Sequence, residues 1–249
     1  MKNSIIKSKN LFYILGIIFI FILWHILSLL SNNDFIVPRI SLTFNALYKT
    51  LLDKGTYLIL GSTILRLFIA VFVCFILGIS LAILSNLSKN FESFFKPIVV
   101  LLKTLPVATV IIMLLVIIGR SYSPYFIIGV VVFPIIYEGT LSGFESINKD
   151  IKDEVKIVTS NNLKVFFKVY LPLIFPNILT SLIQSFGLGL KVLVMAEFIA
   201  ETNNSIGEII RFYKNLAETE YVFAWSIILV LFILIVDTII NVVKKNYLV

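Results

Sequence analysis

The amino-acid sequence predicts an all-α membrane protein with six transmembrane helices, and three observations support this fold class. First, 59% of the residues are hydrophobic and 14% are charged, against roughly 45–50% and 25% in an ordinary soluble domain. Second, the apolar residues are gathered into runs long enough to cross a bilayer as helices. Third, most lysines and arginines fall between these runs, where basic residues set membrane orientation and meet lipid headgroups.

Six apolar segments are long enough, or nearly so, to cross the hydrocarbon core, for which a helix needs roughly 20 residues. They are residues 11–30, 57–84, 97–118, 122–137, 173–199 and 221–243. The fourth is short and Pro106 lies inside the third, so we expect tilted or broken helices there. We interpret the first as a retained anchor, because no small-residue cleavage site follows it.

The basic residues predict how these spans are oriented. Twelve lysines lie in the N-terminal segment, the second and fourth loops and the C-terminal tail, whereas the other side holds six lysines and arginines. Because cytoplasmic loops carry the excess of positive charge, we expect both termini and the fourth loop to face the cytoplasm. We interpret residues 1–249 as a single membrane domain.

The sequence lacks the residues that several classes of function require. The net charge of +7 does not form one basic stripe, so we expect no nucleic-acid partner. The single cysteine, Cys74, and the single histidine, His25, provide neither an intrachain disulfide nor a Cys/His metal set. The sequence has no G-x-x-x-x-G-K-[ST] loop, so any energy from ATP must come from a partner chain.

The fourth loop, about residues 145–170, is the longest polar segment and has a helical pattern of its own. Apolar residues recur at helical spacing on one face, namely Ile147, Ile151, Val155 and Val158. Ser160, Asn161 and Asn162 then favour a turn, and a short amphipathic piece precedes Leu171-Pro172. This order predicts a helix-turn-helix elbow, and the alternative is a solvated charged loop.

The elbow resembles a cytoplasmic motif of the permease subunits of ABC importers, in particular the family that handles sulfonates, taurine, nitrate and thiamine precursors. Their motif reads E-A-A, three residues, Gly, nine residues, then I-x-L-P. Residues 169–172 match its end, which places residues 153–155 on the E-A-A and Thr159 on the glycine. Thr159 takes positive φ poorly, so we expect Asn161 or Asn162 to provide any left-handed residue.

The likeness extends over most of the chain. Ser62-Thr63-Ile64-Leu65-Arg66 resembles the family's S-x-x-R opening of the second span, and Lys96-Pro97 and Leu105-Pro106 resemble the two prolines of its third. Ala196-Glu197, with Ser205-Ile206-Gly207, resembles the stretch after its fifth. The resemblance implies the type I ABC importer permease fold.

The resemblance also implies a mechanism and a set of partners. Two permease copies would pair around a central pathway in a bacterial cell membrane, and an external substrate-binding protein would deliver a small polar solute, with anions among the candidates. Two cytoplasmic ABC ATPases would bind ATP and Mg²⁺, so this chain would be non-catalytic and would hold no cofactor. The residues expected to contact the ATPase are Asp153, Glu154, Val155, Val158, Thr159, Ser160, Asn161 and Leu163.

Ionisable side chains inside apolar spans are candidates for transport roles, since burying them in lipid is costly. The candidates for the translocation pathway are Lys103, Pro106, Lys191 and Glu197. Lys103 and Lys191 could attract an anion, although Lys103 could equally place its ammonium among the headgroups. Pro106 is expected to free backbone carbonyls, and a Glu197–Lys191 pair is a weaker possibility. Arg66 and Asp237 lie near span ends, where snorkelling or a surface pair explains them.

The alternative function is a secondary transporter or channel that works without an ATPase. Such proteins typically have internal repeats, with broken helices in matching positions of two halves. We find no convincing repeat between the halves of this sequence, and the importer permease is therefore the favoured interpretation.

Overall fold

The computed structural model describes residues 2–158 and 165–247, and this part of the chain contains helices and turns but no strand. The all-α prediction is therefore confirmed. The helices are α1 (Lys2–Ser31), α2 (Ile40–Leu52), α3 (Lys54–Leu87), α4 (Lys89–Thr104), α5 (Val107–Glu145), α6 (Lys149–Val158), a π-helical turn (Phe166–Tyr170), α7 (Leu171–Ala200), α8 (Ile206–Asn215) and α9 (Thr219–Tyr247).

Five stretches within these helices are long and apolar enough to cross a membrane, in the part of the chain that the structure describes. They are Leu11–Ser31, Lys54–Leu87, Val107–Glu145, Phe166–Ala200 and Thr219–Lys245. Each of them contains one predicted span, and Val107–Glu145 contains the predicted fourth span, 122–137. The predicted third span, 97–118, is divided instead between α4 and α5, with Leu105 and Pro106 outside both helices. The break at Pro106 agrees with the expectation of a broken helix there.

Helix α5 is interrupted at Gly119, whose φ of 78° and ψ of 177° are not helical. A positive φ is open to glycine at little steric cost. Residues Ile111 and Ile127, on either side of it, belong to one buried cluster with Val192 and Ala196. Because sixteen residues of straight helix extend about 24 Å, the two arms of α5 must fold back on each other at Gly119. The predicted third and fourth spans meet at this bend.

The chain forms two compact units, one of Met1–Tyr57 with Ile209–Val230 and the other of Leu58–Glu208 with Leu231–Val249. This grouping leaves the one-domain prediction for residues 1–249 untested. In the first unit, the Trp24 indole donates a hydrogen bond to the Pro38 carbonyl at 3.1 Å. The hydrogen bonds from Arg39 to Asp34, the shortest at 2.6 Å, lower the pKa of the Asp34 carboxyl. These contacts fix the turn between α1 and α2.

The second unit is built on close packing between the long arm of α5 and α7. A Cβ added at Gly139 would lie 2.4 Å from the Cβ of Ser181, and one at Gly143 would lie 3.1 Å from the Cβ of Ile174. Small residues let two helix backbones approach where no hydrophobic driving force exists between lipid-bathed helices. Near the fourth loop, Phe144, Ile147, Ile174 and Ile178 form one buried cluster.

We expect Gly139→Ala to lower the free energy of unfolding by about 1–3 kcal/mol, because overpacking forces the two helices apart. Gly129→Ala is the matched control, since nothing lies within 4 Å of a Cβ added there. The measurement is the thermal unfolding midpoint of the purified protein in detergent. Equal midpoints for the two variants would contradict the packing described here.

Candidate functional site

A buried carboxylate, Glu197, is the centre of the best-defined polar cluster in the described residues. Glu197 lies near the end of α7 and its side chain is 0% exposed. Nη1 of Arg66, on α3, lies 2.9 Å from Oε1 of Glu197. The Thr63 hydroxyl lies 3.0 Å from both carboxylate oxygens, and the Gly207 N–H donates to Oε2 at 3.3 Å. The charge is therefore paired and hydrogen-bonded, as burial in an apolar segment requires.

The same cluster holds the loop between α7 and α8. Nη2 of Arg66 donates to the Asn203 carbonyl at 3.1 Å, and the Ser62 hydroxyl donates to the Asn204 carbonyl. The Thr63 hydroxyl accepts a hydrogen bond from the Ile206 N–H at 3.0 Å. One turn of α3 therefore binds the backbone of the loop at three places.

Gly207 is required by the close approach of this loop to α7. A Cβ added there would lie 2.3 Å from the backbone nitrogen of Phe198 and 2.5 Å from the Cβ of Glu197. Any side chain at this position would displace the N–H that bonds the buried carboxylate. The resemblances at Ser62–Arg66, Ala196-Glu197 and Ser205–Gly207 thus converge on one site.

The loop also contacts the bend of α5. The Thr202 hydroxyl donates to the Arg120 carbonyl at 3.2 Å, and Nη1 of Arg120 lies 3.4 Å from Oε2 of Glu201. The Arg120–Glu201 pair is exposed on both sides and contributes little energy. The loop is therefore joined both to α3 and to the bend of α5.

Of the predicted pathway residues, Lys103 lies at the end of α4 and is paired. Its ammonium is 2.9 Å and 2.7 Å from the two carboxylate oxygens of Glu138 on α5. Their side chains are 50% and 43% exposed. Pro106 precedes α5 as its N-cap residue and is exposed. Whether either residue lines a pathway stays a prediction.

Lys191 lies on the exposed face of α7, and no ion pair to it is found in the described residues. The structure does not bring Lys191 and Glu197 together, because the Glu197 carboxylate bonds Arg66. Glu197 is enclosed rather than exposed, and its assignment to the pathway stays a prediction. The surface or snorkelling interpretation of Arg66 was wrong, since this side chain is 15% exposed and reaches inward to Glu197.

The predicted elbow begins as α6. Asp153 and Glu154 are exposed and Val155 is half-buried, while Ile147 is buried at the start of the elbow. Val158 ends α6, and the predicted contact residues Thr159, Ser160, Asn161 and Leu163 lie outside the described residues. After the gap, Phe166, Tyr170 and Leu171 pack against the cluster that contains Ile147. Both sides of the elbow therefore rest on the same buried cluster.

Sequence reasoning identified Glu197 as an unusual residue but missed its partners. Arg66 is 131 residues away, and no local spacing links the two. The only signal was the resemblance, which marked the α3, α7 and α8 segments separately. Glu138 was missed as the partner of Lys103, because its place near the end of a span gave no reason to single it out.

The fold and these charged side chains define a multi-pass helical membrane protein. The family model of the inner membrane component of binding-protein-dependent transport systems matches residues 74–248. The chain belongs to this family, which confirms the resemblance to ABC transporter permeases.

Individual relatives of the chain are also named as transport permeases. The chain is 25% identical to a putative ABC transporter permease protein of Methanocaldococcus jannaschii over 92% of this chain and 87% of the relative. It is 25% identical to the putative aliphatic sulfonates transport permease protein SsuC of Bacillus subtilis, covering 69% of this chain and 62% of the relative. It is 26% identical to the taurine transport system permease protein TauC of Escherichia coli, covering 61% and 55%.

Among solved structures, the chain is similar to the inward-facing MetNI methionine ABC transporter. The TM-score is 0.68 at 13% sequence identity, and the match covers 77% of this chain and 97% of that one. At this identity the likeness shows the fold alone. It agrees with the permease fold that the resemblance implied.

We expect Arg66→Met to lower the free energy of unfolding by on the order of 3 kcal/mol, because Glu197 would be left buried without its cation. Adding Glu197→Gln removes the orphaned charge while keeping an acceptor for the Gly207 N–H, so the double variant should be more stable than Arg66→Met alone. Thermal unfolding of the purified variants measures both. A double variant less stable than either single variant would contradict the pairing.

Proposed function

We propose that this chain is the permease subunit of an ATP-binding-cassette importer. The single observation that carries the proposal is the family match over residues 74–248, and the fold likeness to an importer supports it. Two copies of the chain would pair around the pathway, two cytoplasmic ATPases would bind ATP and Mg²⁺, and an external binding protein would deliver the solute. The membrane would be the cytoplasmic membrane of a bacterium.

Six crossings are supported by the bend at Gly119. Helix α4 has 16 residues, and the first arm of α5, residues 107–118, is shorter still, so neither is long enough to count as a span alone. Helix α4 and the first arm of α5 together lie alongside the long arm of α5, and the Lys103–Glu138 contact joins α4 to that arm. With six crossings, the termini lie on the same side, and the lysine excess assigns that side to the cytoplasm.

The cargo that we propose is a small organic anion. Two relatives are named for the transport of aliphatic sulfonates and of taurine. Both kinds of molecule carry a sulfonate group, which a lysine or an amide N–H can bind. Lys191 is well placed to meet such a group, because it is exposed on α7 and has no ion pair among the described residues.

The packing of the elbow supports a role for it as the lever, that is, the element that the ATPase binds and moves. Its side chains Asp153 and Glu154 are exposed, whereas Ile147 belongs to the buried cluster that also holds Phe144, Ile174 and Ile178. Because the described residues on both sides of the elbow pack on this cluster, a displacement of α6 would be transmitted to the helices that the elbow joins. Closure of the ATPases would then tilt α5 and α7 together.

We expect Glu154→Lys to reduce the ATPase recovered with the affinity-purified chain by about five- to tenfold, since reversing a charge in an interface repels the partner. Asp53→Lys, an equal charge reversal at an exposed residue outside the elbow, serves as the control. Transport that persists after ATP depletion, with no ATPase recovered from the unmodified chain, would instead favour a secondary transporter.

We expect a cysteine replacing Lys49 on α2 to react with a membrane-impermeant maleimide in intact cells, because this loop is assigned to the outside. A cysteine replacing Lys152 on α6 should react only after permeabilisation. Cys74→Ala supplies the background, since Cys74 is the one cysteine of the chain. Labelling of position 152 from outside would place the elbow beyond the reach of an intracellular ATPase.

A further inference from the structure

One face of α7 stays exposed along the middle of the helix and carries polar side chains. Gln184, Leu188, Lys191 and Met195 are all exposed and follow one another at helical spacing. The remaining faces of α7 are packed against the second unit, from Ile174 near the start to Ala200 at the end. Gln184 and Lys191 are two turns apart, or about 10 Å along the axis.

This face lies within a candidate span, not at its end. Lys191 is about 8 Å along the axis from the midpoint of α7, and about 13 Å from Ala200. Gln184 lies about 2 Å from the same midpoint, so in an upright helix its amide is about 13 Å inside a core roughly 30 Å thick and does not reach the headgroups. A polar amide or an ammonium in hydrocarbon is costly. The Gln184–Lys191 face therefore meets water or protein and not lipid tails.

Charge pairing distinguishes Lys191 from Arg66 and Lys103. Arg66 is neutralised by Glu197 and Lys103 by Glu138. Glu197 lies on the buried side of α7, six residues on and about 120° around the axis from Lys191. Within the described residues, no carboxylate lies within ion-pair distance of Lys191. Its positive charge therefore stays available to a ligand.

We propose that Gln184 and Lys191 form a subsite for a small anion on the translocation pathway. The proposal rests on the proposed permease function. The Lys191 ammonium would attract the anion, and the Gln184 amide N–H would donate to one of its oxygens. One lysine in a hydrated path binds weakly, which suits a site that an ion must leave again. Sulfonates and carboxylates are the class of ligand that this donor pair fits.

The test uses two thiol reagents of opposite charge on the complete importer in membranes, with and without ATP. Leu188→Cys, in a Cys74→Ala background, places a thiol one turn from Lys191. With each rate divided by that reagent's rate with a free thiol in solution, we expect sulfonatoethyl methanethiosulfonate, which is itself a sulfonate, to react faster than the trimethylammonioethyl reagent. Adding Lys191→Gln should slow the sulfonate reagent by about three- to tenfold, the factor given by one charge at 6 Å in a wet site. Lys191→Arg keeps the charge and should keep the preference.

Two controls define the expected behaviour of other positions. Replacing Lys103 and Glu138 together by Gln should leave the preference unchanged, because that pair is already neutral. Phe72→Cys, on an exposed apolar part of α3, should react with neither reagent.

Two outcomes would overturn the proposal. A cysteine at 188 that is as unreactive as one at 72, with and without ATP, would show that no hydrated site exists there. A reactive cysteine whose reagent preference ignores Lys191→Gln would show that the lysine does not attract anions. Recovery of the ATPase with the same variants separates either result from a failure of the proposed permease function.

Discussion

The Glu197 carboxylate, fully buried at the end of α7, is the constraint on which the second unit depends. It is reached by a guanidinium, a hydroxyl and a backbone N–H, from α3 and from the start of α8. An unpaired charge in an apolar environment raises the free energy of the folded state. A paired charge is tolerated, but only in the arrangement of helices that keeps the two partners together. The contact therefore fixes which turn of α3 faces α7 and where the loop of residues 201–205 returns.

The same requirement for charge pairing distinguishes other cations of this unit from one another. Lys103 finds Glu138 and Arg66 finds Glu197, so each of these cations is neutralised by a carboxylate on another helix. Lys191 differs because its neighbours on the exposed face, Leu188 and Met195, are uncharged. A chain bathed in lipid tolerates such a residue only where water or another protein surface reaches it. Charge pairing thus separates Arg66 and Lys103, which join helices to each other, from Lys191, which we propose to be available to a transported anion.

The sequence predicted the helices well because hydropathy is a local property. The predicted break at Pro106 and the gap between the third and fourth spans correspond to the end of α4 and the bend at Gly119. The partners of the charges were not predictable, since they lie 131 residues apart for Glu197 and 35 apart for Lys103. Gln184 was overlooked for another reason. A single amide in an apolar run predicts no role by itself, and only the structure shows that Gln184 shares an exposed face with Lys191.

Helix α7 connects the features that transport requires. Its first turns pack with Ile147 at the root of the elbow, its middle presents Gln184 and Lys191, and its last turn holds the buried Glu197. The close approach of Gly139 to Ser181 joins α7 to the long arm of α5 along this length. Densely packed helices move as rigid bodies and do not bend gradually. If α6 is the lever, its displacement must therefore reorient the Gln184–Lys191 face and pull on the loop of residues 201–205 in a single motion.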